Sequence, residues 1–231
     1  MRYQSLNKVV ARLILLQRVE LISPLLKRFR KIFGRYIFTN FISKFFLSAD
    51  RINKEYYSLM SKEFENLSRY LNFDGKKILS IGSGVCGLEL IINSKTKNSF
   101  FTIIEKDYIS KKVVYGWDTK NEEAYNNLDI LRTFIINNGM KNNYEIFNYD
   151  QDNLPIKKFD YIISLYSMDY HYDYLIYYDY FKKVVNDDTK IIFDTIRPDY
   201  FKTIFENVDI IHSDEKEIHS SKRVICSKFL N

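Results

Sequence analysis

Glycine and proline are scarce in this chain, seven and three among 231 residues. That excludes collagen-like and low-complexity classes and favours long regular elements. Cysteine is scarcer still: Cys86 and Cys226 lie far apart with no Cys/His spacing that suits zinc. Neither a disulfide framework nor a metal site is therefore expected, and a reducing compartment is the default. Uninterrupted apolar runs of about 18 residues are also missing, because Arg12, Arg18, Lys27 and Arg35 break every candidate. The same charges spoil a signal-peptide core, so the expected location is cytoplasmic.

What the chain does hold is core-forming material, with 46% hydrophobic and 16% aromatic residues. Such a chain folds, and its length suits one sizeable domain. The formal charge of +6 is unevenly spread. Residues 1–50 hold ten basic side chains against Glu20 and Asp50, while residues 51–231 are nearly neutral. A uniformly basic nucleic-acid-binding domain would not show that split. Apolar residues recur at helical spacing through 7–47 (Val9, Leu13, Leu16, then Leu25, Phe29, Phe33, then Phe38, Phe41, Phe45), interrupted by Pro24 and Gly34. A basic amphipathic helical segment, 1–50, thus precedes a domain at 51–231. Such helices cover the domain or form a homodimer interface; a second reading has them touch an anionic membrane surface.

From Asp74-Gly75 onward strands and helices alternate. Strands are predicted at Lys77–Ile81, Phe100–Glu105, Tyr144–Phe147, Tyr161–Leu165 and Lys190–Asp194, with helices at Cys86–Asn93, Glu122–Asn138 and Tyr174–Val185. Short apolar strands separated by helices imply right-handed crossovers and a parallel sheet covered on both faces. Two further strands, Val208–His212 and Arg223–Phe229, follow without a helix between them and suit an antiparallel edge hairpin. The expected fold is α/β, a doubly wound seven-stranded Rossmann-like sheet.

The strongest local signal is Ile78-Leu79-Ser80-Ile81-Gly82-Ser83-Gly84-Val85-Cys86-Gly87-Leu88-Glu89. A buried strand runs through Gly82-x-Gly84-x-x-Gly87 into a helix, so the backbone turns sharply where a ligand meets the helix N-terminus. Glu105 ends the next strand 18 residues beyond Gly87, where a carboxylate accepts both hydroxyls of an adenosine ribose. Asp150 follows the third strand, positioned for an adenine amino group. Dinucleotide-binding proteins share the loop and the acid, but a second nucleotide-binding half and a hydride-transfer constellation are missing. An NAD(P)-binding protein and a non-catalytic scaffold remain the alternatives.

With the loop, Glu105, Asp150 and the strand from Asp160 to Met168 in their successive places, residues 50–231 resemble the class I S-adenosylmethionine-dependent methyltransferases. The resemblance implies S-adenosylmethionine as cofactor, with Gly82, Ser83, Gly84, Gly87, Glu105, Lys106, Asp150 and Leu165 around it. Two departures stand out. Ser80 occupies a position where the family usually has an acid, and Asn186-Asp187-Asp188-Thr189 replaces the usual Pro-Gly-Gly turn.

Methyl transfer from a sulfonium requires positioning and, for a hydroxyl acceptor, removal of a proton. His171, just past the fourth strand, is the candidate base, and Asp169 either orients it or acts itself. Tyr166, Tyr170 and Tyr172 crowd the same segment, Arg197 follows the fifth strand facing an anionic acceptor, and Trp117 belongs to a Tyr-Gly-Trp element at the mouth. The segments Ser164–Tyr172, Tyr115–Trp117 and Tyr125-Asn126-Asn127 are similar to methyltransferases of bacterial surface-polysaccharide (capsule) biosynthesis, implying O-methylation of a sugar hydroxyl or a phosphoramidate group. The expected partner is a small-molecule acceptor. Nucleic acid is disfavoured, because neither an Asn/Asp-Pro-Pro-Tyr/Phe signature nor a Pro-Cys loop occurs.

Overall fold

The computed structural model describes residues 2–22, 28, 32, 35–45, 48–111, 123–213 and 220–230. The Tyr115–Trp117 element, the start of the helix expected from Glu122, and His219 lie outside them.

Among the described residues the N-terminal elements are α1 (Lys8–Gln17), a 3-10 turn (Val19–Leu21), α2 (Arg35–Phe45) and α3 (Ala49–Ser68). Asn7 starts α1 by accepting the Val9 and Val10 amides, and Ser48 starts α3 by accepting that of Arg51. Helix α1 buries Val10, Ala11, Leu13, Ile14, Leu15 and Leu16. These residues share one apolar cluster with Tyr56, Met60 and Leu67 of α3 and with residues of the glycine-loop helix and the sheet. Residues 1–50 are therefore no appendage at their N-terminal end: α1 is built into the core of the following domain. On α2, Ile37, Phe41 and Phe45 are exposed at one-turn spacing. No described helix is long and apolar enough to cross a membrane.

The domain then runs β1 (Lys77–Ile81), α4 (Gly87–Lys95), β2 (Phe100–Glu105), α5 (Leu128–Asn137), β3 (Tyr144–Asn148) and β4 (Tyr161–Ser164). After a 3-10 turn (Tyr174–Tyr177) come α6 (Tyr178–Val184), β5 (Lys190–Thr195), α7 (Pro198–Phe201), β6 (Phe205–Ser213) and β7 (Lys222–Phe229). The seven strands order as β3-β2-β1-β4-β5-β7-β6. The first five are parallel, and β7 inserts antiparallel between β5 and β6. The seven-stranded sheet and its antiparallel edge hairpin are as expected. β1 pairs with both β2 and β4, so the chain reverses direction across the sheet at the C-terminal end of β1, where a crevice opens.

The starts of two elements differ most from expectation. Helix α5 begins at Leu128, six residues late, because Asn127 caps it through the Ile130 amide while Tyr125 bridges to Ile109. β6 begins at Phe205, three residues before the expected Val208.

Arg223 of β7 ties the layers together. Its fully buried guanidinium bonds both carboxylate oxygens of Asp194 on β5, at 3.0 and 3.2 Å, and reaches Glu63 of α3. Asp194 also accepts the Tyr166 amide at 2.9 Å. Removing the cation strands two buried carboxylates. Arg223→Met is expected to lower unfolding free energy by about 3–5 kcal/mol in urea titration; a loss below about 1 kcal/mol would show that the cluster is solvated.

Candidate active site

The crevice at the end of β1 forms a cavity lined by the glycine loop on one side and by residues after β2 and β4 on the others. The loop is shaped locally. Gly82 and Gly84 have φ of +66° and +63°, which glycine adopts without a Cβ penalty. Close packing adds a second reason: a Cβ on Gly82 would meet Ser167 Oγ at 1.9 Å, one on Gly84 would meet Gln17 Oε1 at 2.4 Å, and one on Gly87 would meet the Tyr56 hydroxyl at 2.5 Å. The three glycines thus admit the chain's own side chains.

Glu105 stands at the centre. Its carboxylate accepts the Gly84 amide, and its second oxygen accepts the Lys106 amide at 3.3 Å. Asn126 braces the same turn, donating to the Gly84 carbonyl at 2.7 Å. Burial pushes the Glu105 carboxyl up to about 7, against the lowering effect of the hydrogen bonds from Gly84, Asn126 and Lys106. Lys106 lines the cavity and pairs with Asp150 at 2.9 Å, its ammonium 5.2 Å from the Tyr149 ring centre. Asp150 itself is not among the lining residues.

Ser80, which stands where an acid was expected, donates its hydroxyl to Glu89, a buried carboxylate in the first turn of α4. An acid is therefore present beneath the loop, supplied from nine residues further along. Glu89 Oε2 has no hydrogen-bond partner in the structure. Burial raises the Glu89 pKa, while Ser80 and the charge of Arg18 hold it down.

The neighbouring wall is the turn after β4, whose Ser167 packs against Gly82. Leu165, Tyr166, Ser167, His171 and Tyr172 line the cavity. Tyr166 adopts φ of +54°, uncommon for a bulky residue, and its amide is held by Asp194. The Tyr172 hydroxyl lies 3.1 Å from Ser167 Oγ, and the Ser167 carbonyl accepts the His171 amide at 2.9 Å. Tyr170 is not a lining residue; it meets Tyr166 and His171 edge-on, with ring centres at 5.6 and 5.0 Å.

Asp169 and Arg197 also stand away from the cavity lining. Asp169 is fully buried with φ of +58°, and its carboxylate is shared between the Thr195 hydroxyl and the Arg197 guanidinium, which also pairs with Asp173 at 3.0 Å. Asp169 and Arg197, both expected in ligand chemistry, bond each other here, as an anchor between the β4 turn and the end of β5. Trp117 lies outside the described residues.

Among the lining residues missed by the sequence, which include Asn126, Tyr149, Ser167 and Tyr177, the most distant are Gln17 and Arg18, at the C-terminal end of α1. Gln17 Nε2 donates to the Tyr125 carbonyl at 2.8 Å, fixing its amide over Gly84. Arg18 lies 5.1 Å from the Tyr166 ring centre. Nothing near Gln17 in sequence marks it as a site residue, because the contact spans more than sixty residues.

No family model and no curated protein matches this chain. Among solved structures it is similar to a coclaurine N-methyltransferase bound to N-methylheliamine and S-adenosylhomocysteine, at 14% identity over 62% of this chain and 36% of that one, TM-score 0.44. The chain therefore spans about a third of that protein's length. A precorrin-6y methyltransferase from Geobacter metallireducens is 13% identical over 74% of this chain and 87% of its own, TM-score 0.46. A ribosomal protein methylase from Lactobacillus delbrueckii is 12% identical over 76% and 78%, TM-score 0.46. Strand order and register make the fold a Rossmann-like, seven-stranded mixed sheet with an antiparallel edge hairpin.

Two outcomes follow. Gly84→Ala meets both a positive φ, costing about 1–2 kcal/mol, and the Gln17 amide; adding Gln17→Ala is expected to recover part of the loss in thermal unfolding. If the double variant is no more stable than Gly84→Ala alone, the side-chain clash contributes nothing. The second concerns pH. Glu105 rises in the fold from an ordinary 4.5 to about 7, so the native state holds more proton than the unfolded chain between those values. Stability therefore falls as pH rises through that window, and Glu105→Gln is expected to lack this component in urea titrations at pH 5, 6, 7 and 8. Parallel profiles for the two proteins would contradict the assignment.

Proposed function

We propose that this chain is an S-adenosylmethionine-dependent O-methyltransferase acting on a small polar acceptor, a sugar hydroxyl or phosphoramidate group of a bacterial surface-polysaccharide precursor, with the hydroxyl favoured. The observation that carries the reading is the buried Glu105 carboxylate beside a positive-φ glycine loop, with His171 on another wall of the same cavity. A carboxylate at a strand end pairs with a vicinal diol, and the loop admits close approach of a ligand. The Tyr149 and Leu165 side chains offer apolar walls for a purine. These features fit an adenosyl cofactor.

When bound, such a cofactor supplies an electrophilic methyl group. The chain's residues do the rest. Glu105, once ionised, would hold the ribose hydroxyls of such a cofactor. Leu165, Tyr166 and Tyr172 narrow the approach to the reacting carbon and exclude water. His171 takes the acceptor proton through its imidazole as the new bond forms. The hydroxyl is favoured over the phosphoramidate because Arg197, the cation expected to hold an anionic acceptor, is matched by Asp169 and Asp173 away from the cavity.

Calorimetry is expected to detect S-adenosylhomocysteine binding that Glu105→Ala weakens, with no comparable binding of NADH. His171→Ala is expected to retain that affinity and lose roughly 10²–10⁴-fold in turnover on a hydroxyl acceptor. Tight NADH binding without a response to S-adenosylhomocysteine would overturn the proposal; full turnover in His171→Ala would remove the base.

A further inference from the structure

The end of α1 places a guanidinium at the cavity, over the turn that follows β4. Lys106 and Tyr149 line it next to Glu105 at the close of β2; Arg18 lines it over Tyr166 at the close of β4. The Arg18 side chain is only 16% exposed, and its ion pair with Glu20 is long, 3.6 Å. Arg18 is thus a largely desolvated cation with a distant counter-ion, facing a cavity. A planar guanidinium in that setting suits a carboxylate.

Beneath the loop the complementary charge is waiting. Glu89 feels Arg18 electrostatically and keeps one oxygen, Oε2, buried without a hydrogen-bond partner. A cation lining the cavity and an acid below its floor match the charges of an α-amino acid, carboxylate toward Arg18 and ammonium toward the loop. The basic character of the N-terminal segment then has a local use at this position.

Building on the function proposed above, we propose that Arg18 recognises the carboxylate of the ligand's amino-acid end, so that α1 supplies part of the cofactor site. The test compares three thioethers: S-adenosylhomocysteine, its decarboxylated analogue, and methylthioadenosine, which lacks the amino-acid head. The wild-type chain is expected to bind S-adenosylhomocysteine about 10- to 100-fold more tightly than the decarboxylated analogue, the range for a charge-assisted contact. Arg18→Met, which keeps the apolar contact with Tyr166, is expected to reduce that ratio below about threefold while leaving methylthioadenosine affinity and the thermal midpoint unchanged. Arg18→Lys is expected to fall between. A ratio preserved in Arg18→Met, or equal loss of all three ligands in a folded variant, would overturn the inference. If Arg18→Met does not fold, the Arg18→Lys ratio decides in the same way. Failure of all three ligands to bind the wild-type chain would instead overturn the function on which it rests.

Discussion

The hydrogen bond from the Gly84 amide to the Glu105 carboxylate is the contact on which the site depends. It joins the end of β2 to the loop after β1, and it does so with an acid that burial holds near neutrality in its titration. A carboxylate in that position is costly unless hydrogen bonds surround it. Gly84, Lys106 and Asn126 supply them, and Asn126 in turn fixes the Gly84 carbonyl. The loop, the strand end and the entrance to α5 therefore hold one another in place. Glu89 raises the Glu105 pKa further, and a third acid at position 80 would add to that repulsion; Ser80 instead donates a hydrogen bond to Glu89.

The turn after β4 is set by a second polar system, separate from the first. Arg223 binds Asp194 and Glu63, and Asp194 secures the amide of Tyr166 in its positive-φ conformation. Asp169 with Arg197 secures the next bend in the same turn. These buried pairs leave His171 and Tyr172 at the cavity while absorbing the charges nearby. The sheet thus carries a charge-compensated turn beside a glycine loop tied to an acid, an arrangement suited to positioning two reactants.

The glycine loop, Glu105 and the placement of His171 were legible because each rests on short-range pattern: a buried strand, a turn that needs glycine, a polar residue at the strand end. The edge hairpin was legible for the same reason, two apolar strands without a helix between them. The pairing of Asp169 with Arg197 was not legible, because a sequence shows two charged residues near a crevice and does not show that they meet across 28 positions. The helix start near Glu122 was misplaced although Asn127, an ordinary N-cap residue, marked the true start. Gln17 and Arg18 carried no local signal at all, since their role arises only when α1 packs its Leu13 and Leu16 face into the domain core.

Central to this account is that α1, the glycine loop and Glu105 form one ligand site. Amide hydrogen exchange with and without S-adenosylhomocysteine tests this most directly. The predicted result is joint protection of residues 82–86, of the end of β2 at Ile104–Lys106, and of the end of α1 at Leu15–Arg18. Protection confined to the loop and β2, or the same exchange in all three segments with and without the ligand, would contradict it.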